Sequence, residues 1–245
     1  MTNKFDSNKS WNLVDQDLLS YNERQYDEKY RSTDFVISCL SNQIGKDSKY
    51  TILDVGCGGG ANLRHIAPEF QKCNFTGIDI NEYFINFAKT KHNKCGIINT
   101  DFIKADFSQL GQDRYDIVGS TQFLEVLDFE KAEKFKHKCF QVAKKSVYFQ
   151  ALFTDRNLDF EINIHDYIYN KVVPYNIFSI KRLSEIANFY GFELKQKTQF
   201  IIDIDLPNVH EGRGTYTINT SDGERMMFSD VLHLPWYFIY FEKTK

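Results

Sequence analysis

The sequence predicts an α/β fold with a doubly wound sheet, and three observations carry the prediction. Ile52-Leu53-Asp54-Val55 is a short apolar run that enters Gly56-Cys57-Gly58-Gly59-Gly60, and Leu63, Ile66 and Ala67 then recur at helical spacing. Further short runs ending in Gly77-Ile78-Asp79-Ile80, Ala105-Asp106-Phe107 and Tyr115-Asp116-Ile117-Val118-Gly119-Ser120 follow at the spacing of strand–helix units. The length, 245 residues, accommodates one such domain with additions and a buried core.

A strand, a glycine turn and a helix start together make a nucleotide-type site. Glycine allows φ > 0 and close approach of a ligand. The helix start offers unpaired N–H groups and a partial positive charge. Two cofactor classes compete for it. Gly56, Gly58 and Ala61 satisfy a loose G-x-G-x-x-A dinucleotide pattern. Asp54 discriminates, because a carboxylate two positions before the first glycine repels a diphosphate. It suits a ligand that carries an ammonium and a sulfonium, as S-adenosylmethionine does. Asp79 is placed to accept both ribose hydroxyls in either class. Asp106 can accept from an adenine amino group while Phe107 packs on the ring, which a dinucleotide fold does not require. The fourth strand ends in Thr121-Gln122-Phe123-Leu124-Glu125.

The series Leu53-Asp54-Val55-Gly56-Cys57-Gly58, Gly77-Ile78-Asp79, Ala105-Asp106-Phe107 and Tyr115-Asp116-Ile117-Val118 resembles the class I S-adenosylmethionine-dependent methyltransferases, over roughly residues 48–153. The resemblance implies a seven-stranded sheet in the order 3-2-1-4-5-7-6, with strand 7 antiparallel. It implies a cofactor above the C-terminal ends of strands 1 to 4, where the switch-point rule for open sheets also puts a ligand. The cofactor contacts it implies are Asp54, Gly56, Cys57, Gly58, Asp79, Ile80, Asp106, Phe107, Thr121 and Gln122.

Taken in order, residues 1–8 are polar, and Trp11, Val14 and Leu18 have helical spacing. Residues 21–32 are dense in tyrosine and charge. They resemble the Tyr-Asp-x-x-Tyr segment that precedes the first core helix in many small-molecule methyltransferases. That resemblance implies a flap over the cofactor, with Tyr26, Tyr30 and Arg31 near its methionine carboxylate; a surface helix and a turn is the alternative. Asp34 is expected to cap a helix with Val36, Ile37, Leu40 and Ile44 on its apolar face and Gly45 as its stop. Pro68 shortens the helix after the glycine turn, and Asn81 and Asp128 cap the next two. Ser146 to Phe153 reads as a buried fifth strand.

Residues 154–178 form a first insertion, and Ser179 caps a helix that Gly191 stops. Residues 193–206 read as strand 6 and Trp236 to Glu242 as strand 7. Residues 207–235 are a second insertion, in which Thr215–Asn219 and Glu224–Phe228 flank the hairpin turn Thr220-Ser221-Asp222-Gly223. In the resembled fold, insertions at these two places shape the acceptor pocket. The expected organisation is one domain: a helical flap (1–47), a cofactor-binding core (48–153) and an acceptor-side half (154–245).

Methyl transfer from a sulfonium is an in-line displacement that mainly needs alignment and exclusion of water. An alcohol acceptor also needs a base, most often histidine. A phosphate, phosphoramidate or carboxylate oxygen needs only positioning cations. Many relatives carry His-x-Leu-Glu-His after strand 4; here that run is Gln122-Phe123-Leu124-Glu125-Val126, without either histidine. The candidate bases are therefore His165, His210 and His233, in or beside the insertions. Arg213 and Arg225 suit an anionic acceptor. Residues 212–236 resemble a bacterial methyltransferase subgroup found with surface-polysaccharide genes, which implies a sugar hydroxyl or a capsule phosphoramidate oxygen as acceptor.

A formal net charge of −3 gives no basic footprint for nucleic acid. The lysines of the 131–145 run read as a solvated helix face opposite Ala132, Phe135, Cys139, Val142 and Ala143. Five cysteines, at 39, 57, 73, 95 and 139, form no Cys-x-x-Cys pair and indicate reduced thiols in a cytoplasmic protein. No metal-ligand spacing and no membrane-spanning apolar run is present. The expectation is an S-adenosylmethionine-dependent O-methyltransferase with a small-molecule acceptor, no metal, and neither nucleic acid nor membrane as partner. A nicotinamide-dependent oxidoreductase and a non-catalytic cofactor-binding member of the fold are the rival readings, and the sequence leaves the oligomeric state open.

Overall fold

Strands that are apolar on both sides and alternate with amphipathic helices bury a parallel sheet between two helical layers. The computed structural model describes residues 16–45, 47–167, 171–208 and 215–244. Its central strands are β1 (Thr51–Val55), β2 (Asn74–Asp79), β3 (Thr100–Lys104), β4 (Tyr115–Thr121), β5 (Ala143–Thr154), β9 (Phe192–Gln199) and β13 (Trp236–Lys243). They lie in the order β3-β2-β1-β4-β5-β13-β9, with the short β8 (Phe178–Ser179) beside the end of β5. Strands β1 to β5 pair in parallel, and β13 is antiparallel to both β5 and β9. This is the order and sense that the methyltransferase resemblance implies.

The helices are α1 (Gln16–Asp27), α2 (Arg31–Ser41), α3 (Ala61–Ile66), α4 (Glu82–Lys94), α5 (Phe129–Val142) and α6 (Ile180–Phe189). On one face, Leu53, Val55, Val118 and Phe149 pack with Phe135 and Phe140 of α5 and Leu183 of α6. On the other, Ile52, Ile117 and Tyr148 pack with Val36 and Leu40 of α2, Leu63 of α3 and Ile85 of α4. The first insertion holds the hairpin of β6 (Asn163–Asp166) and β7 (Lys171–Pro174). The second holds the small sheet of β10 (Thr215–Asn219), β11 (Arg225–Ser229) and β12 (Leu232–His233).

Several local expectations hold. The Asn81 side chain accepts from the N–H groups of Tyr83 and Phe84, and Ser179 accepts from the N–H of Arg182. Pro68 falls in the 3₁₀ turn Ala67–Phe70 that ends α3 after six residues. Asp128 holds the N-cap position of α5, and its carboxylate lies 2.8 Å from Lys131 Nζ.

Others are corrected. The cap of α2 is Tyr30, whose carbonyl accepts from the N–H groups of Thr33 (2.9 Å) and Asp34 (3.1 Å). Asp34 sits inside the first turn and pairs with Lys29, and the helix stops at Ser41, before Gly45. The third strand ends at Lys104 because its only partner, β2, ends at Asp79, so Ala105 to Phe107 form a loop and turn. The sixth strand ends at Gln199 rather than residue 206, because β13 begins at Trp236; beyond it Leu206 bonds instead to Thr217 of the second insertion. The lysine face of α5 is not wholly solvated: Lys136 is buried, paired with Glu133, with its ammonium 4.4 Å from the ring centroid of Phe178.

Candidate functional site

The turn after β1 is held from three sides. Gly56 N–H (2.9 Å) and Cys57 N–H (3.1 Å) donate to the carbonyl of Ile78, fixing the turn to the end of β2. At φ +72°, Gly56 takes a backbone conformation that side chains avoid, and the Phe123 ring lies 2.4 Å from where its Cβ would be. Behind the turn, His92 Nε2 lies 3.0 Å from the Gly60 carbonyl and Nδ1 lies 3.0 Å from Thr100 Oγ1. A carbonyl only accepts, so His92 carries its proton on Nε2, and burial lowers its pKa to about 4. A neutral imidazole thus braces the turn.

Asp79 closes the site from β2. Its carboxylate accepts from Gly58 N–H (3.1 Å) and Asn81 N–H (2.8 Å), and its own backbone carbonyl accepts from Ala105 N–H (3.0 Å). Burial raises its pKa, and those backbone N–H groups oppose the shift. Asp54 is buried, and its pKa is raised to about 7, first by burial and then by the charge of Asp79. Burial pushes the Cys57 thiol well up, so it is a small space-filling group in the turn. Ile80 lies between the end of β2 at Asp79 and the Asn81 cap of α4.

The structure brings Asp54, Gly56, Cys57, Gly58, Asp79 and Ile80 together at the C-terminal ends of β1 and β2. Asp106 is exposed beyond β3, where it accepts from Ser108 N–H (2.9 Å). Phe107 is buried against Phe135, with ring centroids 5.1 Å apart. Thr121 is buried at the end of β4, and Gln122 follows in a left-handed conformation (φ +54°) with its N–H donating to the Gln150 carbonyl at 2.8 Å.

The N-terminal candidates are placed differently. Tyr26 is buried beside α4: its hydroxyl donates to Cys95 Sγ (3.8 Å), and its ring lies edge-on to His92. Tyr30 caps α2, and the Arg31 guanidinium pairs with Asp203. The residue of α1 that touches the turn is Asn22, whose Oδ1 accepts from Gly59 N–H at 3.3 Å. Sequence reading missed it; an asparagine in a segment of tyrosines and charges carried no signal.

Of the candidate bases, His165 is exposed on β6. His233 is half-buried on β12, 5.4 Å from the Phe228 ring, and burial lowers its pKa. Arg225 ties the second insertion to the segment before it, through Asp205 (2.7 Å) and the Ile202 carbonyl (3.4 Å), and also bonds Asn219 (2.9 Å). His210 and Arg213 lie outside the described residues. Among the described residues, no His, Cys, Asp and Glu cluster could hold a metal ion.

Six buried side-chain atoms among the described residues lack a hydrogen-bond partner, and five belong to Ser120, Thr121, Glu125 and Gln150. Each such atom costs about 1–3 kcal/mol, and buried polar groups are normally paired. Their concentration at the C-terminal edge of β4 and β5, with the Asp79 carboxylate across the turn, fits a ligand laid over that edge.

Residues 52–146 match the family model described as methyltransferase domain. Cycloartenol-C-24-methyltransferase 1 of Oryza sativa subsp. japonica is 42% identical over 72 residues, 29% of this chain and 21% of that protein. The chain spans about a fifth of the length of the first curated relatives it matches. The malonyl-[acyl-carrier protein] O-methyltransferase of Bacillus cereus is 25% identical over 72% of each chain. The solved magnesium protoporphyrin IX methyltransferase of Synechocystis PCC 6803, crystallised with S-adenosylmethionine, covers all of both chains with a TM-score of 0.63 at 13% identity. With the strand order, these findings show that residues 52–146 match the methyltransferase-domain model and that the chain has the fold of the solved methyltransferases it resembles.

Proposed function

We propose that the chain is an S-adenosylmethionine-dependent methyltransferase whose acceptor is an oxygen of a sugar or sugar-linked group, in surface-polysaccharide biosynthesis. The observation that carries the acceptor class is the set of unpaired buried groups at the ends of β4 and β5. It contains two hydroxyls, a carboxamide and the Glu125 carboxyl, whose pKa burial raises to about 8. This set is uncharged at neutral pH and both donates and accepts, as sugar hydroxyls do. An acceptor phosphate or phosphoramidate calls for a positioned cation, and Arg31 and Arg225 are both engaged with aspartates. Arg213, the other cation candidate, lies outside the described residues, and the unpaired polar set supports the hydroxyl as the oxygen.

In this reading Asp79 holds the ribose hydroxyls, and the glycine turn, Asp54, Thr121 and Gln122 surround the methionine end, with Asp106 and Phe107 toward the adenine. Bound cofactor supplies an activated methyl group on a sulfonium. His233 takes the proton of the acceptor hydroxyl; its lowered pKa keeps it neutral, hence able to accept one, at neutral pH. The two insertions shelter the acceptor, and residues 1–47 act as the flap, with α1 against the glycine turn. The net charge of −3 supports a small acceptor over nucleic acid.

Incubation with labelled S-adenosylmethionine and a panel of UDP-glucose, UDP-N-acetylglucosamine and GDP-mannose tests the reading. Transfer of label to a sugar oxygen is expected. Cofactor binding with label transfer only to amines or carboxylates in a parallel panel overturns it.

A further inference from the structure

We propose that Gln150, with Glu125 on the turn that crosses its backbone, forms the recognition wall of the acceptor pocket, with the Gln150 carboxamide binding the acceptor's hydroxyl groups. The inference rests on the methyltransferase reading above and adds a specificity-determining residue to it.

Gln150 interrupts Val147-Tyr148-Phe149 and Ala151-Leu152-Phe153, the apolar run of a central strand. It is fully buried, and neither Oε1 nor Nε2 has a partner. A carboxamide in such a strand normally costs stability unless something satisfies it. Its register partners are Thr121 on β4 and Phe238 on β13, so Gln150 and Thr121 project from the same face. Thr121 Oγ1 is also unpaired. The turn leaving β4 is pinned here, since Gln122 N–H donates to the Gln150 carbonyl at 2.8 Å. Three residues on, buried Glu125 leaves Oε2 unpaired, while its carbonyl accepts from Asn176 N–H (2.8 Å) of the first insertion.

The end of β5, the post-β4 turn and the first insertion thus meet around unsatisfied polar atoms. Gln150 on β5 lies three strands along the sheet from β2, which carries Asp79. That separation supports placing Gln150 toward the acceptor end of the cleft rather than the ribose end. A carboxamide gives two donors and an acceptor in one plane, which matches adjacent hydroxyls on a sugar ring.

Replacing an unpaired buried amide by an apolar group of similar volume relieves an unmet cost, so a ligand-binding role and a structural role predict opposite stability changes. Gln150→Leu and Gln150→Met are compared with wild type in the full chain, by thermal unfolding, by calorimetry with S-adenosylhomocysteine, and by turnover of the three nucleotide sugars above. The expected result is a Tm unchanged or raised by roughly 3 °C. S-adenosylhomocysteine affinity stays within about threefold, and kcat/KM falls by about 100-fold or more, mainly through KM. A Tm lowered by several degrees in both variants would assign Gln150 to the fold. A tenfold loss of S-adenosylhomocysteine affinity would assign it to the cofactor. Unchanged kcat/KM would also overturn the proposal. If wild type methylates none of the three sugars, the sugar reading fails, and the Tm and calorimetry results still decide whether Gln150 belongs to the fold, the cofactor or neither.

Discussion

Gly119 and Tyr148 are register partners on β4 and β5, and a Cβ at 119 would fall 2.0 Å from Tyr148 Cζ. The absence of a side chain at 119 lets the phenol ring lie across β4 toward Asp54, which faces Gly119 from β1. The raised pKa of Tyr148 comes first from burial and then from the charge of Asp54. Gly119→Ala is therefore expected to destabilise by about 3 kcal/mol, a drop in Tm of roughly 6–12 °C. Thermal unfolding checks it; an unchanged midpoint would mean that Tyr148 has another place to go.

Asp79 offers the one carboxylate at the site already held by two backbone donors, from Gly58 and Asn81. Asp79→Ala removes the ribose acceptor and loosens the glycine turn. Affinity for S-adenosylhomocysteine is expected to fall by roughly 10- to 100-fold in calorimetry, the scale of a charged hydrogen bond.

Glu125 makes stability depend on pH. Its carboxyl ionises at about 8 when folded, against an ordinary value of 4.5. The folded chain thus holds an extra proton between those values. The associated stability is fully present below the ordinary value and is lost as pH rises through the folded one. Asp54, raised to about 7, adds in the same sense. Tm is expected to decline from pH about 5 to about 8, and Glu125→Gln, which cannot ionise, should make the decline shallower. An identical pH profile in the variant would contradict the assignment.

His233→Ala is expected to lower kcat for a hydroxyl acceptor by about 100-fold or more while leaving S-adenosylhomocysteine affinity in place. His165→Ala, at an exposed position on β6, is expected to change neither. Equal losses in both variants would point to damage of the insertions instead of loss of a base.

The parts of this protein that were legible in the sequence are those fixed by local chemistry. The glycine turn, the strand-end aspartates, the Asn81 and Ser179 caps and the hairpin around Asp222-Gly223 all announce themselves by residue type and spacing. The misread boundaries depend on distant partners. Strand β9 stops because β13 begins at Trp236, and β3 stops because β2 ends at Asp79. The partners of the flap candidates were hidden for a related reason: Tyr26 is buried against α4, and Arg31 finds Asp203 across 172 residues of chain. Lys136 was hidden by its helix, since only the docking of β8 puts Phe178 beneath it. Gln150 did leave a signal, one polar residue in a seven-residue apolar run; it was passed over because attention rested on histidines and arginines.

Thermal unfolding of the full chain with S-adenosylhomocysteine and, separately, with NAD tests the central assignment most directly. A ligand that binds only the folded state raises the midpoint in proportion to its occupancy. A clear rise with S-adenosylhomocysteine and none with NAD is predicted. A rise with NAD alone would mean that the carboxylate of Asp54 does not exclude a diphosphate, and the methyltransferase account would give way to a nicotinamide one.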